Sequence, residues 1–408
     1  MAAHPGPGPG LQGRRILFGV TGSIAAFKAA GWVRCLAREE ARVTVVMTRA
    51  AEQFISRLTF GALSGNRVHG DMFADDPAGI MAHITLSREA DCVLIAPATA
   101  QTIARLAHGM ADDLLSATVL AADIPVVLCP AMNTNMLRHP ATRDNLERLR
   151  GIGYTVIEPA SGTLACGEVG AGRMPGWDLV RETLLALFAD QDLEGRRILI
   201  TAGPTREPLD PVRYLSNRSS GRMGYALART ARRRGGEVRL VTGPVSLSDP
   251  PGVEVIRVTT AQEMRDAVLA LAGSVDIIVG AAAVADFRPR SCRELKIKKS
   301  GADPCIELEP NPDIMAELGR SRRSGQLLVG FAAESHDHEQ EGRRKLEEKN
   351  LDLVVVNDIL GSRTGFDVET NQVTLLTARD RRQLPLLSKE ATADRIWDRV
   401  VELGRGSG

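Results

Sequence analysis

From Arg14 the chain runs through a stretch of consecutive apolar positions, RRILFGV, leaves it in a Thr-Gly-Ser loop and enters IAAFKAAGWVRCLARE, where apolar residues recur at helical spacing. The next apolar run, ARVTVVMT at 41–48, completes a strand–helix–strand unit, and such units join parallel strands through right-handed crossovers. The alternation continues with strands over 90–98, 124–131 and 154–159 and helices over 99–121, 134–150 and 177–190. A polar junction, ADQDLEG at 189–195, interrupts it, and the same four residues Arg-Arg-Ile-Leu restart it at Arg196. RRILITAG, EVRLVTGP and the runs at 275–286, 326–334 and 351–358 read as strands. Helices are expected over 219–234, 312–324, 338–350 and 389–404, with a terminal hairpin across NQVTLLTA and RQLPLL. Near-continuous apolar strands between helices describe sheets covered on both faces. The pattern therefore predicts an α/β protein of two tandem, three-layer, doubly wound domains.

A length of 408 residues agrees with two cores. The expected parts are a disordered Pro/Gly-rich leader over 1–13 and domains over 14–190 and 191–408. A composition 44% apolar and 25% charged is that of a globular protein, and a net charge of +1 gives no electrostatic case for nucleic acid or an anionic membrane. The six cysteines form no CxxC, the leader lacks the apolar core of a signal peptide, and no apolar run reaches the length of a membrane span. A cytoplasmic protein is expected.

Both loops after the repeated strand place small residues at a helix start, where free N–H groups favour phosphate. Neither fits G-x-G-x-x-G or GxxxxGK[ST], and tight turns alone would also ask for these glycines. Three further stretches of the first half carry polar residues that packing does not request. His83 falls in an irregular segment ahead of the 90–98 strand. Asn133 follows a buried strand, at the carboxyl end of the sheet where open α/β proteins bind ligands. Cys166 lies near the middle of SGTLACGEVGAGRM, a long glycine-rich loop of the kind that is a lid or binding loop or else disordered. Singly, each has a plain reading as a backbone partner, a turn residue or an incidental thiol. In the second half, Ser219, Ser220 and Gly221 open a helix, and LKIKKSG gathers Lys296, Lys298 and Lys299. Such a run is ordinarily a solvated edge. Following a strand whose exit carries Asp286, it also suits a triphosphate with Mg2+.

Together these motifs resemble known families. GVTGSIAAFK, His83, APATAQTIARLAHGMADDLL, PAMNTNM and GTLACGEVGAGRM resemble the phosphopantothenoylcysteine decarboxylases over 14–185. The resemblance implies a flavodoxin/Rossmann-like domain with FMN held between subunits. Gly22, Ser23, Ile24 and Ala25 would meet the flavin phosphate, and Thr48, Pro97, Ala98, Thr99 and Ala100 would line the rest of its pocket. His83 falls on the active-site base, Asn133 on the carboxylate-binding amide, and Cys166 on the acid of a substrate clamp. Leu137 stands where that motif often has an aromatic residue. Because the amine of the substrate cysteine is acylated, no Schiff base can form, and flavin oxidation of the CH2–SH arm supplies the electron sink instead.

ITAGPTREPLDPVRYLSNRSSGRMG, GAAAVADF, KIKK, NPDI, VGFAAE and KNLDLVVVND resemble the phosphopantothenate–cysteine ligases over roughly 195–400. The resemblance implies a Rossmann-like domain that activates 4′-phosphopantothenate with CTP and Mg2+ and passes the acyl group to cysteine. Asn217, Arg213 and Lys296 match catalytic positions, and Asp286 is also the expected Mg2+ ligand. Gly280, Ala281, Ala282, Asp286, Lys296, Pro312, Asp313, Ile314, Met315, Phe331, Lys345 and Lys349 match nucleotide-binding positions. In these families the flavin domains form trimers or dodecamers and the ligase domains dimerise, so a homo-oligomer is expected. Two other readings stand beside this one, a tandem NAD(P) oxidoreductase and a non-catalytic flavin-binding regulator. The missing dinucleotide fingerprint counts against the first, and the complete His83, Asn133 and Cys166 set against the second.

Overall fold

A computed structural model describes residues 10–73, 81–298, 305–334, 338–358 and 370–405, in two compact units that meet in sequence between Phe188 and Ala189. The first opens with β1 (Arg15–Val20), α1 (Ala26–Arg38), β2 (Arg42–Met47), α2 (Arg57–Ser64) and β3 (Val68–His69). It continues through α3 (Ala82–Arg88), β4 (Cys92–Ala98), α4 (Ala100–Ala107), α5 (Leu114–Leu120) and β5 (Val126–Pro130). Then come α6 (Thr134–Arg138), α7 (Pro140–Gly151), β6 (Thr155–Val156), the hairpin β7 (Ala160–Thr163) and β8 (Val169–Arg173), and α8 (Trp177–Leu187).

The six-stranded sheet is parallel throughout, in the order β3-β2-β1-β4-β5-β6. Alternate residues of β1 serve opposite cores. Ile16, Phe18 and Val20 pack with α1 and α8, whereas Leu17 packs with residues of α4, α5 and α7. That division is the physical content of a three-layer unit, because side chains of a strand alternate between faces.

The second unit repeats the plan. It comprises β9 (Arg197–Ala202), β10 (Arg206–Pro208), β11 (Tyr214–Ser216), α9 (Arg222–Arg233), β12 (Glu237–Thr242), β13 (Glu254–Arg257) and α10 (Ala261–Ala272). β14 (Ile277–Gly280), β15 (Phe287–Pro289), β16 (Leu308–Pro310), α11 (Ile314–Ser321), β17 (Leu327–Glu334), α12 (His338–Glu348) and β18 (Leu353–Asp358) follow. It closes with β19 (Thr370–Asn371), β20 (Val373–Leu376), β21 (Arg381–Gln383), β22 (Leu387–Ser388) and α13 (Lys389–Arg405). The sheet order is β13-β12-β9-β14-β17-β18-β20-β21, and only β20 and β21 run antiparallel to their neighbours. Ile198, Ile200 and Ala202 join the α9 and α13 core, and Leu199 joins the α10 and α11 core.

Both repeated Arg-Arg-Ile-Leu strands begin with the same clamp. Arg15 donates its backbone N–H to Asp91 at 2.8 Å and its Nη2 at 2.6 Å, and Arg197 does the same to Asp276 at 2.9 and 2.8 Å. Each aspartate stands just before the strand that pairs with β1 or β9. The clamp thus ties the amino ends of two neighbouring parallel strands.

Several expected elements differ. The helix expected over 99–121 is α4 and α5, because Gly109 takes φ +65° and Asp113 starts a new helix with a capping box. The helix expected over 134–150 is α6 and α7, divided where Pro140 takes a first-turn position. α2, α10 and β13 lay outside the expectation, and the strand expected over 275–286 is regular only over Ile277–Gly280. The expected disordered leader is ordered from residue 10, where Leu11 is 1% exposed and belongs to the first core. Residues 1–9 and Lys299 lie outside the described residues.

Candidate active sites

In the first unit the expected flavin residues gather at the carboxyl ends of adjacent strands. Gly22, Ser23, Ile24 and Ala25 follow β1, Thr48 follows β2, and Pro97, Ala98, Thr99 and Ala100 span the exit of β4 into α4. β1 and β4 are the neighbours at which the strand order reverses, the place where doubly wound sheets open a crevice. Buried Thr21 holds that crevice together: its hydroxyl donates to the Pro97 carbonyl at 2.6 Å and accepts from the Thr99 N–H at 3.1 Å. Thr48 accepts from the Ala51 N–H at 3.3 Å, and Thr99 caps α4 through the Thr102 N–H at 3.4 Å. The cap of α1, Ala25, makes no side-chain bond, and the first-turn N–H groups of Ala26 and Lys28 donate to the Ser23 and Ala25 carbonyls at 2.9 and 3.0 Å. The positive end of α1, approached by the small residues Gly22 and Ser23 at the carboxyl end of β1, suits a flavin phosphate, so the residues present fit the group.

Asn133 and Cys166 come together although 33 positions separate them in sequence. The side-chain Oδ1 of Asn133 caps α6 by accepting from the Asn135 N–H at 2.8 Å. This leaves Nδ2 outward, 3.6 Å from the Cys166 thiol and 2.8 Å from the Glu168 carboxylate. The glycine-rich stretch expected as a loop is the β7–β8 hairpin, with Cys166 in its tip. Glycine brings it close to Asn133. A Cβ on Gly172 would stand 2.1 Å from the Met132 carbonyl, and one on Gly170 2.5 Å from the Thr134 hydroxyl. Met132 N–H donates to the Gly172 carbonyl at 3.0 Å, and the Thr134 hydroxyl to the Ala171 carbonyl at 2.9 Å.

Cys166 is exposed, whereas Cys92 and Cys129 are buried. Burial pushes the Cys92 thiol up to about 12 and the Cys129 thiol higher still, so neither offers a thiolate. His83 lies in the first turn of α3, not in an irregular segment, and it makes no hydrogen bond to Asn133 or Cys166 among the described residues. Leu137 packs against the core of the α4, α5 and α7 face.

The second unit carries a cavity of about 650 Å³ across the carboxyl edge of its sheet. Gly280, Ala281, Ala282 and Asp286 line it after β14, Pro312, Asp313, Ile314 and Met315 at the start of α11, and Phe331 from β17. Asn217, Ser219, Ser220 and Gly221 line it before α9, and Lys345 and Lys349 from the α12 side. A Cβ on Gly280 would meet the Met315 sulfur at 2.4 Å, so that wall is backbone-thin by necessity. Asn217 donates to the Val284 carbonyl at 2.9 Å. Lys349 is ion-paired with Asp313 at 2.9 Å. Burial raises the Asp313 carboxyl, but the Lys349 ammonium and the Ala316 N–H outweigh it and hold the group below its ordinary range.

Arg213 and Lys296 do not line this cavity. Arg213 pairs with buried Asp210 at 2.5 Å and donates to the Ile297 carbonyl at 2.9 Å, while the Ile297 N–H donates to Asp210 at 3.1 Å. The Arg213 hydrogen bonds hold the Asp210 carboxyl well below the usual range. Arg213 thereby fastens the Lys296 segment to the β10–β11 ladder. Asn357, Asn371 and Lys389 also line the cavity, and sequence reasoning missed them. Lys389 is 8% exposed and donates to Asn371 Oδ1 at 3.0 Å. Single polar residues after apolar runs gave no signal; these three meet only through the C-terminal strands. Among the described residues no three His, Cys, Asp or Glu side chains form a metal cluster, and no helix is long and apolar enough to cross a membrane.

A flavin-ready crevice in one doubly wound unit and a nucleotide-sized cavity in the next define a two-site α/β flavoprotein enzyme. The family described as Flavoprotein matches residues 9–189, and the DNA/pantothenate metabolism flavoprotein C-terminal domain matches 193–403. The chain is 43% identical over 403 residues to the coenzyme A biosynthesis bifunctional protein of Bacillus subtilis (strain 168), covering 98% of this chain and 99% of that one. It is 46% identical over 399 residues to the protein of the same name from Vibrio vulnificus (strain YJ016), covering 96% and 98%. A solved C-terminal domain of such a bifunctional protein is 40% identical and spans 52% of this chain and 98% of its own, with a TM-score of 0.46. The chain belongs to the family of coenzyme A biosynthesis bifunctional proteins. It is a bifunctional decarboxylase and ligase of coenzyme A biosynthesis, and a flavoprotein.

Proposed function

We propose that the second unit joins 4′-phosphopantothenate to cysteine and that the first decarboxylates the resulting phosphopantothenoylcysteine to 4′-phosphopantetheine and CO2. The observation that carries the first assignment is the meeting of the Asn133 amide with the Cys166 thiol. A neutral amide orients a carboxylate without stabilising it strongly against departure as CO2. Cys166, in the hairpin tip, delivers a proton to the decarboxylated product, and His83 serves as the base that takes the substrate thiol proton. Gly22, Ser23, Ile24, Ala25, Thr48, Pro97, Ala98, Thr99 and Ala100 would hold FMN, which when bound would take two electrons from the CH2–SH arm so that the carboxylate can leave and would return them to the product afterwards, leaving the overall reaction redox-neutral. Ile24 and Phe27, 58% and 63% exposed beside this loop, support a flavin site completed by a second copy of the chain.

In the second unit CTP occupies the cavity, with Gly280, Ala281, Ala282 and Phe331 around the base and Pro312, Asp313, Ile314, Met315, Lys345 and Lys349 around the rest. The carboxylate of 4′-phosphopantothenate attacks the α-phosphate, pyrophosphate leaves, and the amine of cysteine then displaces CMP. Anion meets anion in the first step, so cations are needed: Lys296, fastened nearby by Arg213, and Mg2+ at Asp286. Mg2+ held by one carboxylate, phosphates and water suits a cavity without a carboxylate cluster. Asn217 orients the acyl-cytidylate. Trimeric or dodecameric flavin domains, dimeric ligase domains and a cytoplasmic location complete the proposal. To test it, the purified protein is incubated with 4′-phosphopantothenate, cysteine, CTP and Mg2+ while CO2 and pyrophosphate are followed. A flavin spectrum and one CO2 per pyrophosphate are expected; a protein that binds no FMN and releases no CO2 overturns the first assignment.

A further inference from the structure

The Asn133 amide is not open in this structure. Its Oδ1 is committed to capping α6, so the two N–H groups of Nδ2 are what it offers to the site, and one already holds a carboxylate, the side chain of Glu168 at 2.8 Å, while the other faces the Cys166 sulfur at 3.6 Å. Resting on the decarboxylase reading above, we infer that Glu168 is a positioning residue that occupies the substrate-carboxylate subsite and couples its occupancy to the placement of Cys166.

The hairpin tip allows this coupling. The Leu164 N–H donates to the Glu168 carbonyl at 2.8 Å and the Gly167 N–H to the Leu164 carbonyl at 3.0 Å, closing a small loop that contains Cys166. Glu168 and Cys166 therefore move together. Below the tip, the bonds of Ala171 and Gly172 to Thr134 and Met132 fasten β8 to the segment that carries Asn133, so any shift is confined to 164–168. An incoming substrate carboxylate finds one N–H of the amide on Glu168 and the other facing the Cys166 sulfur, and beside Glu168 it meets a like charge that repels it. Glu168 is displaced and takes the Cys166 thiol with it. When the bond to the carboxylate breaks, its electron pair stays on the remaining substrate and CO2 leaves uncharged. The N–H is vacated, Glu168 returns, and the thiol comes back within 3.6 Å of Asn133. The order of events follows: CO2 departs first, and the proton donor arrives afterwards.

The test compares two ligands on the FMN-loaded full chain, its Glu168→Gln variant and its Glu168→Ala variant. One ligand is 4′-phosphopantothenoylalanine, which keeps the carboxylate and lacks the thiol; the other is 4′-phosphopantetheine, which lacks the carboxylate. Calorimetry is expected to give about fivefold tighter binding of the alanine compound to both variants, since a like charge a few Å away is removed. 4′-Phosphopantetheine is expected to bind within about twofold to all three proteins. Iodoacetamide labelling of Cys166, read by peptide mass, is expected to run faster in the parent with the alanine compound than with the N-ethylamide of 4′-phosphopantothenate, which has neither carboxylate nor thiol, and equally fast with both in Glu168→Ala. Unchanged affinity of both variants for the alanine compound, or labelling indifferent to the ligand in the parent, overturns the inference. A parent that binds neither ligand overturns the decarboxylase reading itself.

Discussion

Asp91 and Asp276 play the same part in two units, each receiving an arginine and a backbone N–H at the start of a central strand. At Asp276 the Arg197 hydrogen bonds lead and hold the carboxyl below its ordinary value. At Asp91 burial pushes upward, and the Arg15 bonds outweigh it. A carboxyl whose folded value lies below its unfolded one, about 3.9, contributes stability above that pH and loses it as pH falls through the folded value. Urea unfolding of Asp276→Asn is therefore expected to show a flatter loss of stability between about pH 5 and 3 than the parent. Because both arginines are half-exposed, the difference at neutral pH is on the order of 1 kcal/mol. A variant as acid-sensitive as the parent would count against the clamp.

Among elements, the β7–β8 hairpin is the one that the pattern hid. Ser-Gly-Thr and Val-Gly-Ala-Gly-Arg have little of the branched or aromatic character that marks strands, and glycine is poor in them. Gly172 is there because φ is +143° and the Met132 carbonyl fills the place of a Cβ. Gly172→Ala should cost about 1–3 kcal/mol in the first unit and lower CO2 release at least tenfold, with pyrophosphate release unchanged. Parallel assays of the two products check it, and full decarboxylation by the variant would show that the hairpin need not dock. The same blindness explains His83, where the short α3 carries too few periodic positions to be read as a helix.

At the scale of the whole molecule, two sheets share the strand order 3-2-1-4-5-6 and differ in what their carboxyl edges carry. Chemistry confined to separate units predicts separable lesions. Cys166→Ser is expected to stop formation of 4′-phosphopantetheine while pyrophosphate release continues, and Lys296→Gln to stop pyrophosphate release while added phosphopantothenoylcysteine is still decarboxylated. Mixed together, the two variants should restore the full conversion, measured as 4′-phosphopantetheine formed from 4′-phosphopantothenate. Loss of both activities in either folded variant would refute the division.

Sequence alone determined the α/β class, the restart at Arg196 and the strand exits that bear Gly22 and Asn133, because buried parallel strands leave long apolar runs and ligand loops must follow their carboxyl ends. The family resemblance placed His83, Cys166 and the lysines. Tertiary structure decided the rest. Glu168 reaches Asn133 only because a glycine hairpin folds back across the β5 exit, and Asn357, Asn371 and Lys389 meet only where antiparallel strands return to the cavity. Arg213, which sequence matched to catalysis, is spent on Asp210 and the Ile297 backbone. Contacts between residues distant in the chain leave no periodic trace in it, since periodicity records which face a residue takes and not which partner it finds there.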